Sequence, residues 1–177
     1  MNDPGHDARQ LRRALGAFAT GVTVITTLDP SGRRFGLTAN SFNSVSLDPA
    51  LILWSLSNQA PSYPAFKAAS RFVVNILAED QAHLSRRFAS RADDKFAGVE
   101  VVDGIDGVPV IVGCAATLQC STFRTVPGGD HTVFFGRVDA FHHTDALPLV
   151  FGRGEYLRTA PLGAGAAGGA ATVASAA

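Results

Sequence analysis

The stretch Val22-Thr23-Val24-Ile25-Thr26-Thr27, followed by Asp29-Pro30-Ser31-Gly32 and then Phe35-Gly36-Leu37-Thr38-Ala39, reads as strand, turn and strand. β-Branched residues fill the first run, and Asp, Pro, Ser and Gly supply the turn chemistry between the two. The spacing predicts a β-hairpin over residues 22–39. Further along, residues 51–56 form an apolar run expected to be a buried strand. Residues 58–61 read as a turn leading to Ser62, the expected N-cap of a short helix reaching residue 69. Residues 72–77 read as another strand. Two longer strands are expected over 115–124 and 132–141, joined by Val126-Pro127-Gly128-Gly129-Asp130. Leu11, Leu15 and Phe18 recur at helical spacing, so residues 7–20 predict an amphipathic helix lying against the body. Residues 79–89 predict a short exposed helix. Many strands joined by tight turns, without regular strand-helix alternation, point to a mainly β fold with flanking helices, a barrel rather than a doubly wound sheet.

The chain has 177 residues, 46% of them hydrophobic, which is enough for one domain with a sizeable core. Lys plus Arg and Asp plus Glu balance at 15 each, so there is no basic field to hold nucleic acid or an acidic membrane surface. The opening MNDPGHDARQLRR is polar and charged, unlike a secretory signal. No run approaches the roughly 20 apolar residues of a spanning helix. The two cysteines, Cys114 and Cys120, fall in one strand-like run, about 20 Å apart at strand rise, too far to bridge. Reduced thiols suit a cytoplasmic setting. Residues 1–10 read as an N-terminal arm and 11–161 as the domain. The Ala/Gly-rich residues 162–177 carry too little apolar bulk to offset ordering entropy and are expected to be disordered.

Several motifs fail on their surroundings. Gly163, Gly165 and Gly168 match G-x-G-x-x-G, but no strand leads into them and no acidic residue follows at the distance a dinucleotide site needs. His142 and His143 are strand neighbours that point to opposite faces, with no ligand set around them. Asp130-His131 lacks an accompanying activated nucleophile. More informative is Gly36-Leu37-Thr38-Ala39-Asn40-Ser41-Phe42-Asn43-Ser44-Val45-Ser46-Leu47-Asp48-Pro49, where small hydroxyl and amide residues crowd the end of a strand. Its plainest reading is a loop that satisfies its own backbone through side-chain turns. Its functional reading is a ligand wall, because an isoalloxazine ring needs a flat apolar slot, hydrogen-bond donors and small side chains that let the backbone approach.

These residues resemble the short-chain flavin reductase family, the reductase components of two-component flavin-dependent monooxygenases. The resemblance spans residues 11–161. It rests on Phe18-Ala19-Thr20-Gly21-Val22-Thr23-Val24-Ile25-Thr26-Thr27, Gly36-Leu37-Thr38-Ala39-Asn40-Ser41-Phe42, Ser44-Val45-Ser46-Leu47-Asp48-Pro49, Phe72-Val73-Val74-Asn75-Ile76-Leu77, Asp94-Lys95-Phe96, Gly129-Asp130-His131 and Gly154-Glu155-Tyr156. One departure is Ala50, where many relatives carry a second proline.

The resemblance implies an FMN-binding split β-barrel and transfer of hydride from NADH, in preference to NADPH, to FMN or FAD. It also implies a homodimer and a separate monooxygenase that takes the reduced flavin. Gly36, Leu37, Thr38, Ala39, Asn40 and Ser41, with Ser46, would then hold the ring and ribityl chain, and Ser55, Leu56 and Ser57 would line the same pocket. Ser62, Arg87 and Phe88 would stand near the phosphate or adenylate, and His131 and Tyr156 near the nicotinamide. His131 is the expected assisting group, positioning the nicotinamide or giving a proton to reduced flavin. Two other classes stay open at this point: a flavin-binding electron-transfer or storage module without NADH turnover, and a split-barrel oxidase of a pyridoxine-like substrate.

Overall fold

The computed structural model describes residues 7–162. The glycine motif at 163–168, nearly all of the Ala/Gly-rich tail and residues 1–6 of the arm lie outside them. The strands are β1 Thr20–Gly21, β2 Thr23–Leu28, β3 Arg34–Ala39, β4 Asn43–Leu47, β5 Ala50–Ser57, β6 Arg71–Ile76, β7 Val101–Asp103, β8 Pro109–Ile111, β9 Ala116–Gly128, β10 His131–His143, β11 Val150–Gly152 and β12 Glu155–Leu157. The helices are α1 Ala8–Leu15, α2 Tyr63–Ala68 and α3 Ala82–Ala89.

Seven strands form one sheet in the order β3-β2-β6-β9-β10-β5-β4, and every ladder in it is antiparallel. Its two edge strands, β3 and β4, are not paired with each other, so the curled sheet stays open as a split barrel. The expected hairpin over 22–39 is β2 and β3, in register from Thr23 opposite Ala39 to Leu28 opposite Arg34. Its turn is held by Asp29, whose Oδ1 accepts from the Ser31 N–H at 2.8 Å, the Ser31 hydroxyl at 2.6 Å and the Arg33 N–H at 3.0 Å. The Ser31 hydrogen bond leads the set that holds this carboxyl below its usual range.

Strand β2 is buried on both faces because alternate side chains serve two cores. Ile25 faces the barrel interior with Trp54, Phe66, Phe72, Val74 and Phe134. Val22 and Val24 face a second cluster with Leu77, Leu84, Phe88, Ile111 and Leu149. The buried threonines donate to backbone carbonyls: Thr23 to Ala39 at 2.7 Å, Thr26 to Pro109 at 2.5 Å and Thr27 to Arg71 at 2.7 Å. Such bonds offset the cost of taking hydroxyls out of water. Asn75, fully buried on β6, donates to the Val24 carbonyl at 2.9 Å and accepts from the Ile111 N–H at 2.8 Å, which ties β8 to the sheet.

Several expectations need correction. Helix α1 ends at Leu15, where Gly16 takes the C-cap, and none of its residues is buried. Leu11, Leu15 and Phe18 are 48%, 65% and 79% exposed, so the apolar stripe does not lie against the body of its own chain. Helix α3 is less exposed than its charge suggests, burying Leu84, Ser85 and Phe88. The linker expected over 126–130 shrinks to Gly129-Asp130, because both strands of the hairpin continue to pair until His131 meets Gly128. Residues 43–47, grouped with a Ser/Asn-rich loop, form the edge strand β4, where one free ladder and an exposed face tolerate polar residues. Ser62 takes the N-cap position of α2, but its backbone is already helical and its hydroxyl makes no cap bond. Cys114 follows β8 instead of sharing a strand with Cys120, and both thiols are free, buried and pushed up to about 12 by desolvation.

Candidate functional site

Edge strand β3 spends one row of its backbone groups on β2 and leaves the other row without a strand partner. A cleft of about 1320 Å³ runs beside it. That volume exceeds the roughly 300–1,000 Å³ usual for one small ligand. Residues 33–41 form one wall, 55–57 and 59–62 a second, 88–97 a third, and His131 completes the rim.

The split is stitched at one point. Ser41 Oγ accepts from the Ser55 N–H at 2.9 Å and donates to the Ser55 carbonyl at 3.0 Å, joining the segment after β3 to β5. Thr38 donates to the Ser85 carbonyl at 2.6 Å, anchoring β3 to α3. Both hydroxyls therefore hold the wall together. Gly36 sits over Phe88, and a Cβ at this position would stand 2.6 Å from the ring. Phe88 is fully buried and meets Phe96 edge to face at 5.1 Å, so it forms the floor under β3.

At the far wall, Lys95 Nζ donates to the Phe88 carbonyl at 2.8 Å and lies 3.4 Å from the Gly36 carbonyl. Partial burial pulls it below the usual ammonium range. Asp94 Oδ1 accepts from the Phe96 N–H at 2.9 Å and the Ala97 N–H at 3.2 Å, turning the chain back. His131 Nδ1 is 2.8 Å from Asp130 Oδ1, and this hydrogen bond holds the Asp130 carboxyl below its usual range.

Of the residues singled out in the sequence, Gly36, Leu37, Thr38, Ala39, Asn40, Ser41, Ser55, Leu56, Ser57, Ser62, Phe88 and His131 line the cleft together. Ser46, Arg87 and Tyr156 do not. Ser46 sits on β4, opposite Leu51. The Arg87 Nε donates to the Lys95 carbonyl at 2.7 Å. Tyr156 belongs to the second cluster, with its hydroxyl 2.8 Å from Ser85 Oγ and its ring against Phe151 and the Arg86 guanidinium. The sequence reading missed Arg33, Arg34, Gln59 and the whole wall from 89 to 97 as lining residues. Asp94-Lys95-Phe96 stood out in the sequence without a role, because its place depends on how α3 docks.

An unpaired strand edge, small side chains, the apolar faces of Leu37 and Leu56, and cations on two of the walls suit a flat heteroaromatic ring carrying a phosphate. The chain is 43% identical over 154 residues to the FMN reductase (NADH) SmoA of Agrobacterium fabrum, covering 87% of each. It is 42% identical over 158 residues to the reductase component of a flavin-dependent trigonelline monooxygenase of Acinetobacter baylyi, covering 89% of this chain and 51% of that one. A solved structure of the NADH:FAD oxidoreductase SgcE6 of Streptomyces globisporus, in complex with NAD and FAD fragments, superposes with a TM-score of 0.85 at 38% identity, covering 92% and 98% of the two chains. The chain spans 48%, 65% and 51% of the length of the first three curated relatives it matches. The flavin reductase like domain model matches residues 15–160, and the chain therefore belongs to that family.

Proposed function

We propose that this chain is an NAD(P)H-dependent flavin reductase that passes hydride from NADH to FMN or FAD and supplies reduced flavin to a separate flavin-dependent monooxygenase. The observation that carries the reading is the unpaired edge of β3, bordered by small residues from Gly36 to Ser41, as one wall of a cleft large enough for a flavin. A flavin held there would supply the acceptor for hydride from the nicotinamide donor. The chain's own contribution would be orientation: the free backbone groups of β3 would hold the ring, with Leu37 and Leu56 offering apolar surface beside it. His131, at the rim and oriented by Asp130, assists by positioning the donor or giving up a proton. His131→Ala should lower turnover several-fold or raise the Michaelis constant for NADH. A variant with both constants unchanged would remove His131 from the mechanism.

The functional unit is residues 11–161, preceded by the arm 1–10 and followed by the tail 162–177; the family match over 15–160 supports these bounds. It is a homodimer, a reading supported by Leu11, Leu15 and Phe18, which stand exposed with nothing among the described residues to cover them. No helix among the described residues is long and apolar enough to cross a membrane. The two free thiols support a cytoplasmic setting.

The test is NADH consumption at 340 nm by the purified protein with FMN, FAD or riboflavin, and with NADPH as competing donor. Flavin-dependent oxidation establishes the reductase. Tight flavin binding without NADH consumption replaces it with an electron-transfer or storage module. Light scattering of the same preparation checks the dimer, which a flavin-competent monomer would overturn.

A further inference from the structure

Arg87 and Ser62 were the residues expected near a flavin phosphate, and Arg87 is turned away, holding the backbone of Lys95. We infer that Lys95 is the cation that receives the flavin phosphate, making the site selective for FMN and FAD over riboflavin. The inference rests on the flavin-reductase reading and adds to it the residue that decides which flavins bind.

Lys95 lines the cleft and is half-buried, yet its ammonium meets only neutral carbonyls, those of Phe88 and Gly36. Among the described residues no carboxylate lies within ion-pairing distance of it. A partly desolvated cation facing a cleft without an anion of its own is costly unless the ligand supplies one. The ammonium carries three donors, and the Gly36 contact at 3.4 Å is long, so capacity remains for a phosphate oxygen. The surroundings favour an anion too. Arg33, Arg34 and Arg91 line the same cleft against Asp93 and Asp94, and Asp94 already turns one oxygen onto the Phe96 and Ala97 amides. Counting Lys95, four cations face two carboxylates across the two walls of the cleft, in a chain with no net formal charge, and of the four Arg34 also reaches Asp103 at 3.6 Å.

Three contacts fix the backbone around the lysine: Arg87 on its carbonyl, Asp94 turning the chain beyond it, and Phe96 packed on Phe88 beneath Gly36. With the backbone set and the ammonium on the Phe88 carbonyl, the side chain has less freedom to lose on binding, which favours a ligand-directed role.

The alternative is that Lys95 only caps the C-terminal carbonyls of α3. Riboflavin, which carries the same ring and no phosphate, separates the two. Affinities of the full chain for FMN and riboflavin, read by flavin fluorescence, should show Lys95→Met weakening FMN by roughly tenfold to a hundredfold, as expected for losing one charge-assisted contact, with riboflavin changed less than about twofold. Lys95→Arg should recover much of the FMN affinity. Parallel weakening of FMN and riboflavin would overturn the inference and leave the capping role. A wild-type chain that binds neither would instead overturn the flavin reading on which it rests. Should Lys95→Met fail to fold, the wild type still decides: added salt should weaken FMN and leave riboflavin unchanged, and salt-independent FMN binding overturns the inference.

Discussion

Replacing Trp54 with alanine should cost about 3–5 kcal/mol of stability, the range for emptying a buried aromatic site, and lower the thermal midpoint by roughly 10 °C. Trp54 is fully buried at the centre of the barrel interior. It stacks on Phe134 at 4.8 Å and meets Phe66 and Phe72 edge-on at 5.1 and 5.7 Å, so its removal strips contacts from β10, β6 and α2 together. Trp54→Phe should cost clearly less than Trp54→Ala. The indole N–H has no hydrogen-bond partner among the described residues, and deleting an unsatisfied buried donor returns part of what the smaller ring loses. Chemical denaturation of the three proteins checks the order, and a Trp54→Ala cost below about 1 kcal/mol would contradict the packing account. The effect also reaches the cleft, because the next residue, Ser55, offers both backbone groups to Ser41 where the split is stitched.

Gly36→Val is expected to damage the site more selectively. The first added carbon would stand 2.6 and 2.7 Å from two atoms of the Phe88 ring and 3.3 Å from Phe96, so the ring must move or β3 must lift. Overpacking of this kind costs about 1–3 kcal/mol. Because Phe88 is the floor under β3 and Lys95 donates to the Phe88 carbonyl, the displacement should also weaken flavin binding, by roughly tenfold or more on the affinity scale. Measuring flavin affinity beside the denaturation midpoint separates the two effects. A Gly36→Val protein with wild-type affinity would show that the floor can shift without disturbing the ligand wall.

The strands that carry the barrel were legible because they advertise themselves. Val22 to Thr27 is β-branched along its length, the run from 51 to 56 is apolar, and Asp29 to Gly32 holds turn formers in order. β4 was hidden because Asn43, Ser44 and Ser46 are loop-like types that an exposed edge strand also accepts. β7, β8, β11 and β12 span three residues each, too short to show a period. In the site, residues 36–41 were visible by composition, but the work of their hydroxyls was not. Thr38 and Ser41 turn to backbone of distant segments, and those partners exist only once α3 and β5 are in place. Arg87 was expected at the cleft and Lys95 was given no role for the same reason: which of two nearby cations lines the cleft is decided by the chain's path after α3, a path that local pattern does not encode. The helical spacing of Leu11 and Leu15 was legible, but the helix stops before Phe18 and leaves all three exposed, an outcome the spacing alone does not encode.

The seclusion of the two thiols has a chemical consequence. Flavin reduced and released in air reacts with oxygen to give hydrogen peroxide, so on the proposed activity the protein would work next to an oxidant of its own making. Sulfur is attacked as exposed thiolate or accessible thioether. Here both cysteines are buried and held as thiols by a pKa of about 12, and the only methionine is residue 1. Peroxide escaping from the cleft would find almost no sulfur within reach, and the protein could turn over repeatedly without being inactivated by its by-product.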